Sequence, residues 1–160
     1  MQTLDREKKR FVRAAQQQRE RDVAKQKKKE SAGQTIVRFT EDHLWVKCDG
    51  ERAVIGLSEY GQDSVGEVLA IELPEVGDRI EQGETFGEIE SSRTLQELIA
   101  PITGNVVAVN GELEDNPGLV NEDPHREGWF VEVALADERE LDRLMATEAY
   151  EEFVAAEQDE

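Results

Sequence analysis

From Thr35 onward the apolar residues fall in short runs, each cut off by Gly, Asp, Asn or Pro. This pattern predicts strands and tight turns, not long helices. "TIVRFT" leads into "HLWVKCDGERAVIGL", where Asp49-Gly50 separates two β-rich runs and marks a hairpin. "SEYGQDSVGEV" opens with Ser58, a good N-cap, and stops at Gly66, so a short helix or turn is expected between them. "VLAIEL" reads as a strand ended by Pro74, and "RIEQGETFGEIES" carries a turn at Gln82-Gly83. "EIESSRTLQEL", residues 88–98, reads as a tight hairpin with Arg93 at its tip. "LIAPITGNVVAVN" places a turn at Thr103-Gly104 before an apolar strand. "GELEDNPGLVNEDPHREG" reads as a long acidic loop with about one helical turn, and "GWFVEVAL" as a strand with alternating faces.

Both ends depart from this rhythm. Asp137, with Glu140 three residues on, resembles a capping box, and Leu141, Leu144 and Met145 follow at helical spacing. Thr147 is placed to cap a second helix with Tyr150, Phe153 and Val154 on its apolar face. At the other end, residues 1–33 are rich in Gln, Lys, Arg and Glu, and no continuous stripe joins Leu4, Phe11, Val12 and Val23. That segment reads as a solvated helix or as disorder, with a basic docking arm for RNA or an acidic partner as the sharper alternative. The expected organisation is therefore a basic charged extension over 1–33, a mainly β body over 34–154 closed by two short C-terminal helices, and an acidic tail over 155–160. Many short strands with frequent turns favour a sandwich or flattened barrel.

Charge sharpens the division. The 160 residues hold 19 basic and 37 acidic side chains, a net of −18. Residues 1–35 contain eleven basic and five acidic residues, which leaves eight against 32 for the remainder. So acidic a body disfavours nucleic acid and anionic membranes, except through the basic arm, and suits proteins with basic docking faces. The one cysteine, Cys48, permits no internal disulfide and fits a reducing compartment. No apolar run approaches a membrane span, and residues 1–35 lack the apolar core of a signal peptide and hold too many acids for a transit peptide, so a cytoplasmic location is expected.

Enzyme constellations are not found. His43 and His125 are not at metal-ligand spacing. "GLSEYG" has its serine one place off the nucleophile-elbow pattern, and no Gly-rich loop matches a phosphate cradle. Cys48, Trp45, Trp129, Tyr60 and Tyr150 read as packing residues.

One set of segments is more specific. "HLWV", "GLSEYGQDSVGEV", "IELPEVGDRIEQGETFGEIES", "APITGNVVAVN", "LEDNPGLVNEDP", "EGW" and the terminal "AYEEFV" occur in an order and spacing that resemble the glycine cleavage system H-protein family over roughly residues 35–154. The resemblance implies a lipoyl-domain-like barrel-sandwich hybrid and a non-catalytic carrier. In that family lipoate on a hairpin-tip lysine takes an aminomethyl group from glycine decarboxylase. It presents the group to the aminomethyltransferase and is reoxidised by dihydrolipoamide dehydrogenase. The basic extension is not part of the family pattern.

The working site departs from that pattern. The family motif E-S-V-K-A corresponds without a gap to Glu90-Ser91-Ser92-Arg93-Thr94, with Pro101 and Gly104 following at the family's distance. Arg93 thus stands where the lipoyl lysine belongs. Lipoylation acylates a deprotonated amine, and a guanidinium with a pKa above about 12 and delocalised nitrogens is a poor acceptor. The single lysine after residue 35 is Lys47, in a predicted strand and away from the tip. The family's H-E-W triplet, whose acid is implicated in holding the loaded arm, here reads His43-Leu44-Trp45, while Glu97 keeps a second flanking acid in kind. Reversing both changes, Arg93→Lys with Leu44→Glu, would restore the family pattern. The candidate site is therefore Arg93, flanked by Glu90, Ser91 and Glu97, with Leu44 in place of the usual acid.

Two functional readings follow. The first is a non-lipoylated adaptor scaffold with no cofactor, binding glycine cleavage components or lipoate-handling enzymes. The second is a lipoyl carrier modified on an unorthodox residue. Arg93 itself reads either as a solvated tip residue or as a group that pairs with a partner's carboxylate.

Overall fold

The computed structural model describes residues 35–158; the readings made on residues 1–33 lie outside them. Among the described residues, nine strands form two antiparallel sheets. The larger sheet has the order β1 (Ile36–Phe39), β2 (Leu44–Asp49), β3 (Arg52–Leu57), β9 (Val131–Leu135), β8 (Gly104–Val109), β5 (Arg79–Ile80). The smaller comprises β4 (Val68–Glu72), β6 (Thr85–Ser91) and β7 (Leu95–Ile99). Their facing sides enclose the main core, which includes Leu44, Val46, Ile55, Leu57, Ile89, Leu98, Ile102, Val106, Phe130 and Val133. The expected mainly β, two-layered body is what forms.

The turn readings hold where a single residue type decides the geometry. Asp49-Gly50 closes the β2–β3 hairpin, with Gly50 at φ 74° and Asp49 opposite Arg52. Ser58 caps α1 (Glu59–Val65) by accepting from the Gly61 amide at 3.0 Å, and Gly66 ends it at φ 84°. Gln82-Gly83 does turn the chain, but it switches sheets: β5 pairs with β8, and β6 joins the smaller sheet.

Gly104 has a different task from the turn role its sequence position indicates. It opens β8 opposite Leu135, and a Cβ there would lie 2.1 Å from the Ala134 carbonyl oxygen and 2.4 Å from Val133 Cγ1. The obstruction is backbone and cannot swing aside. Gly104→Ala is expected to cost about 3 kcal/mol, the upper part of the overpacking range. Urea denaturation checks this: the midpoint should fall with the slope unchanged, and an unaltered midpoint would refute the contact.

The C-terminal region keeps one predicted helix and alters the other. Asp137 caps a 3₁₀ helix, Glu138–Arg143, not an α-helix, and its carboxylate accepts from the Arg139 amide. Glu140 does not complete a capping box. Its carboxylate instead accepts from the Thr103 amide and hydroxyl, both at 2.7 Å, and this long-range pair fixes the segment against the β7–β8 connection. Two single-turn helices, α2 (Glu112–Asp115) and α3 (Leu119–Glu122), occupy the acidic loop where one turn was expected. The last helix, α4, runs Thr147–Gln158, so four residues assigned to the tail are helical. It packs Tyr150 with Phe39 and Trp45 in a second core cluster. Tyr150 and Phe39 stack with centroids 4.3 Å apart.

Candidate functional site

The hairpin tip is shaped by Ser91, whose side chain is almost fully buried. Its amide and hydroxyl both donate to the Thr94 carbonyl, at 2.8 and 3.1 Å. Its Oγ also accepts from the amides of Arg93 and Thr94, at 3.2 and 3.0 Å. One serine thereby satisfies most of the polar groups of a turn that has no glycine. The next amide, Ser92 N–H, donates to the Glu67 carbonyl at 2.9 Å and ties the tip to the body.

Arg93 does not project freely from this turn. Its Nη1 donates to the carbonyls of Asp63 and Ser64, both at 3.2 Å. These are end-of-helix carbonyls of α1, among the acceptors that an α-helix leaves without an intrahelical donor. Helix α1 has no basic residue in its own last turn. The tip arginine supplies that charge from 29 and 30 residues away, at the end of the helix where a cation is favoured. Gly66 makes room for it: a Cβ there would lie 3.2 Å from both Cδ and Nε of Arg93. Asn121 fixes the same junction, donating to Gly66 O at 2.8 Å and accepting from the Val68 amide at 2.8 Å.

The other predicted site residues divide between surface and core. Glu90 is exposed on β6, opposite Leu95, and Glu97 is exposed on β7, opposite Glu88, with Thr85 Oγ1 donating to it at 3.3 Å. Leu44 is 1 % exposed inside the main core. Its place in the motif suggested a site position; in the fold it is a packing residue, because the pleat turns it inward beside Leu57, its strand partner.

Lys47, the fallback acceptor, is occupied. Its Nζ donates to the His125 carbonyl at 2.7 Å and lies 4.7 Å from the centroid of the Trp45 ring. Burial, followed by repulsion from Arg126, holds its ammonium below the usual lysine value. His125 stacks on Trp45, and its Nε2 accepts from the Glu59 amide at 3.2 Å, a role that needs the neutral ring. Burial, and secondarily Lys47, keeps its pKa below the ordinary 6.5. The unfolded chain therefore takes up this proton first as pH falls, so the contribution of His125 is complete above about pH 6.5 and is lost below it. Thermal melts should show a steeper loss of midpoint from about pH 7.5 to 5.5 in the natural protein than in His125→Gln. Parallel curves would contradict the assignment.

A partly buried polar chain that motif reading missed joins α4 to α1. Tyr150 OH lies 2.6 Å from Ser58 Oγ and 2.8 Å from His43 Nδ1, and His43 Nε2 lies 3.1 Å from Glu157. His43 holds this place at φ 69°, an uncommon conformation for a residue with a side chain. Ser58 was legible as a cap, but its partner lies 92 residues away and leaves no local signal. Among the described residues no group of His, Cys, Asp and Glu is placed to hold a metal, and no helix is long and apolar enough to cross a membrane.

The comparisons with known proteins agree with this architecture. The glycine cleavage H-protein family matches residues 37–157. A glycine cleavage system H protein of Brevibacillus brevis is 48% identical over 118 residues, covering 74% of this chain and 94% of its own length. Proteins of the same name from Staphylococcus saprophyticus and Staphylococcus haemolyticus are each 45% identical over 118 residues, with the same coverage. The crystal structure of a glycine cleavage system H protein from Mycobacterium marinum matches with a TM-score of 0.68 and 27% identity, over 78% of this chain and 98% of that one. With its fold, its hairpin and these matches in agreement, the chain belongs to the glycine cleavage H-protein family.

Proposed function

We propose that this member of the family is a non-lipoylated scaffold, which binds glycine cleavage components or lipoate-handling enzymes without carrying a group between them. The observation that supports the reading best is Arg93. The family resemblance implies lipoate on a lysine at this tip, and the residues present do not fit that group. Arg93 offers no acylable amine, and its guanidinium is engaged with the α1 carbonyls. Lys47, the single lysine of the body, is held under His125 and against Trp45, in the middle of a strand. Protein partners suit both the family and the charge of residues 36–160, which hold 32 acidic side chains against eight basic ones.

Intact mass tests the proposal. The protein is purified after coexpression with a lipoyl ligase and added lipoate. The bare-chain mass is expected, and a mass heavier by one lipoyl group would overturn the reading. The second reading, a lipoyl carrier of the glycine cleavage system, draws on the 48% identity to a relative of that name. In that case peptide mapping would locate the modification, starting at Lys47.

A further inference from the structure

The outer face of the smaller sheet carries an arrangement that is expected to cost stability. Glu72 on β4 lies directly opposite Glu88 on β6, and Glu88 directly opposite Glu97 on β7. Residues so paired project from the same face with Cβ atoms about 5 Å apart, and like charges there repel. Glu72, Glu88 and Glu97 thus form a row of three carboxylates across three strands. The preceding row, Ile71, Ile89 and Gln96, projects from the opposite face, with Ile89 fully buried, so the glutamates face outward. Among the described residues no cation forms an ion pair with them; Arg79, which lines the same cleft as Glu72 and Glu88, pairs with Glu81 at 3.4 Å. The side chains of Glu72 and Glu88 have no bond to another group, and Glu97 accepts only from Thr85 Oγ1.

Two large apolar residues accompany the row. Leu95 is 65% exposed and stands opposite Glu90, another unpaired acid. Leu69 is 51% exposed at the irregularity where β4 slips its register against β6. Exposed leucines singly are ordinary, but two of the four large apolar side chains exposed in the described body belong to this three-stranded sheet. The remaining exposed pair, Ile36 and Val76, lie outside it.

We infer that this face is a docking surface for an amphipathic basic helix of a partner protein. The spacing selects that occupant. Carboxylates recur across the sheet at about the strand separation, 4.8 Å. Lys or Arg side chains three and four residues apart on a helix recur at about 5–6 Å. A helix laid across the strands sets a row of cations over Glu72, Glu88 and Glu97, and its apolar flank meets Leu95 and Leu69. A carboxylate row repels phosphate, so nucleic acid and anionic membrane are excluded as occupants. Docking replaces repulsion by attraction, and gives the exposed leucines apolar contact. The inference goes beyond the scaffold reading and does not depend on whether the tip is modified.

The test uses the full chain and a fluorescent amphipathic peptide of alternating Lys and Leu helical turns as probe. The triple variant Glu72→Gln, Glu88→Gln, Glu97→Gln is compared with a charge-matched control, Glu138→Gln, Asp142→Asn, Glu148→Gln. Anisotropy titrations at about 150 mM salt should show at least tenfold weaker binding for the sheet variant and less than a twofold change for the control. Leu95→Ser with Leu69→Ser should weaken binding severalfold while leaving its salt dependence unchanged. Equal losses in the two triple variants would mean that the peptide reads net charge alone, and would overturn the proposal. Thermal melts provide an independent arm: Glu88→Gln relieves repulsion on both sides, so its midpoint should rise. A falling midpoint would remove the premise that the row is held at a cost.

Discussion

Leu44→Glu is expected to unfold the body, or to lower its thermal midpoint by roughly 15 °C. The substitution is the one that a motif comparison would recommend, since it rebuilds the family's H-E-W triplet. The structure argues against it. Leu44 is 1 % exposed among core residues and pairs with Leu57, which is fully buried. A carboxylate placed there loses its hydration and gains no cation, a penalty on the order of 4 kcal/mol or more. Typical domains have only about 5–15 kcal/mol in total, so much of the margin is spent at one position. Circular dichroism melts against Leu44→Met separate the causes. Met preserves volume and should cost less than about 1.5 kcal/mol. A folded Leu44→Glu protein with an unchanged midpoint would show that position 44 opens to solvent or to a polar group.

Arg93→Lys is expected to be a substrate of lipoyl ligase, and the natural protein, on the reading proposed above, is expected not to be. The hairpin that presents the position does not depend on the arginine. Ser91 organises the turn through its own hydroxyl and amide, and Ser92 binds the Glu67 carbonyl. Replacing the guanidinium by an ammonium removes an interaction with two α1 carbonyls at an exposed site, which costs under about 1 kcal/mol. The lysine gains what arginine lacks, an amine that can lose its proton and be acylated. The measurement is intact mass after incubation with a lipoyl ligase, ATP and lipoate, natural protein beside variant. One added lipoyl group on the variant alone is the expected result. Modification of both would place the acceptor elsewhere, and modification of neither would mean that the hairpin surface itself no longer engages the ligase.

Local chemistry accounts for what was legible in the sequence. Short apolar runs and turn residues determined the strands, the Asp49-Gly50 hairpin, the Ser58 cap and the Gly66 stop, because each depends on neighbours a few residues apart. The arginine at position 93 was equally plain, since a single residue type is read directly from the chain. Motif order was enough to indicate the family. The same reasoning misplaced Leu44 and Gly104, whose roles are set by what lies across the sheet: Leu57 for one and the Ala134 carbonyl for the other. It left Glu140 in a capping box, when the stronger donors were Thr103 N–H and O–H from 37 residues away.

The sequence by itself determined the kind of body this is and the residue at its hairpin tip. Only the tertiary structure decided what that residue does. Nothing within a few residues of Arg93 foretells that its guanidinium closes the end of α1, or that three glutamates from separate strands fall into one row. Both depend on strand register and sheet packing, which bring together residues distant in the chain, and a local pattern carries no record of either.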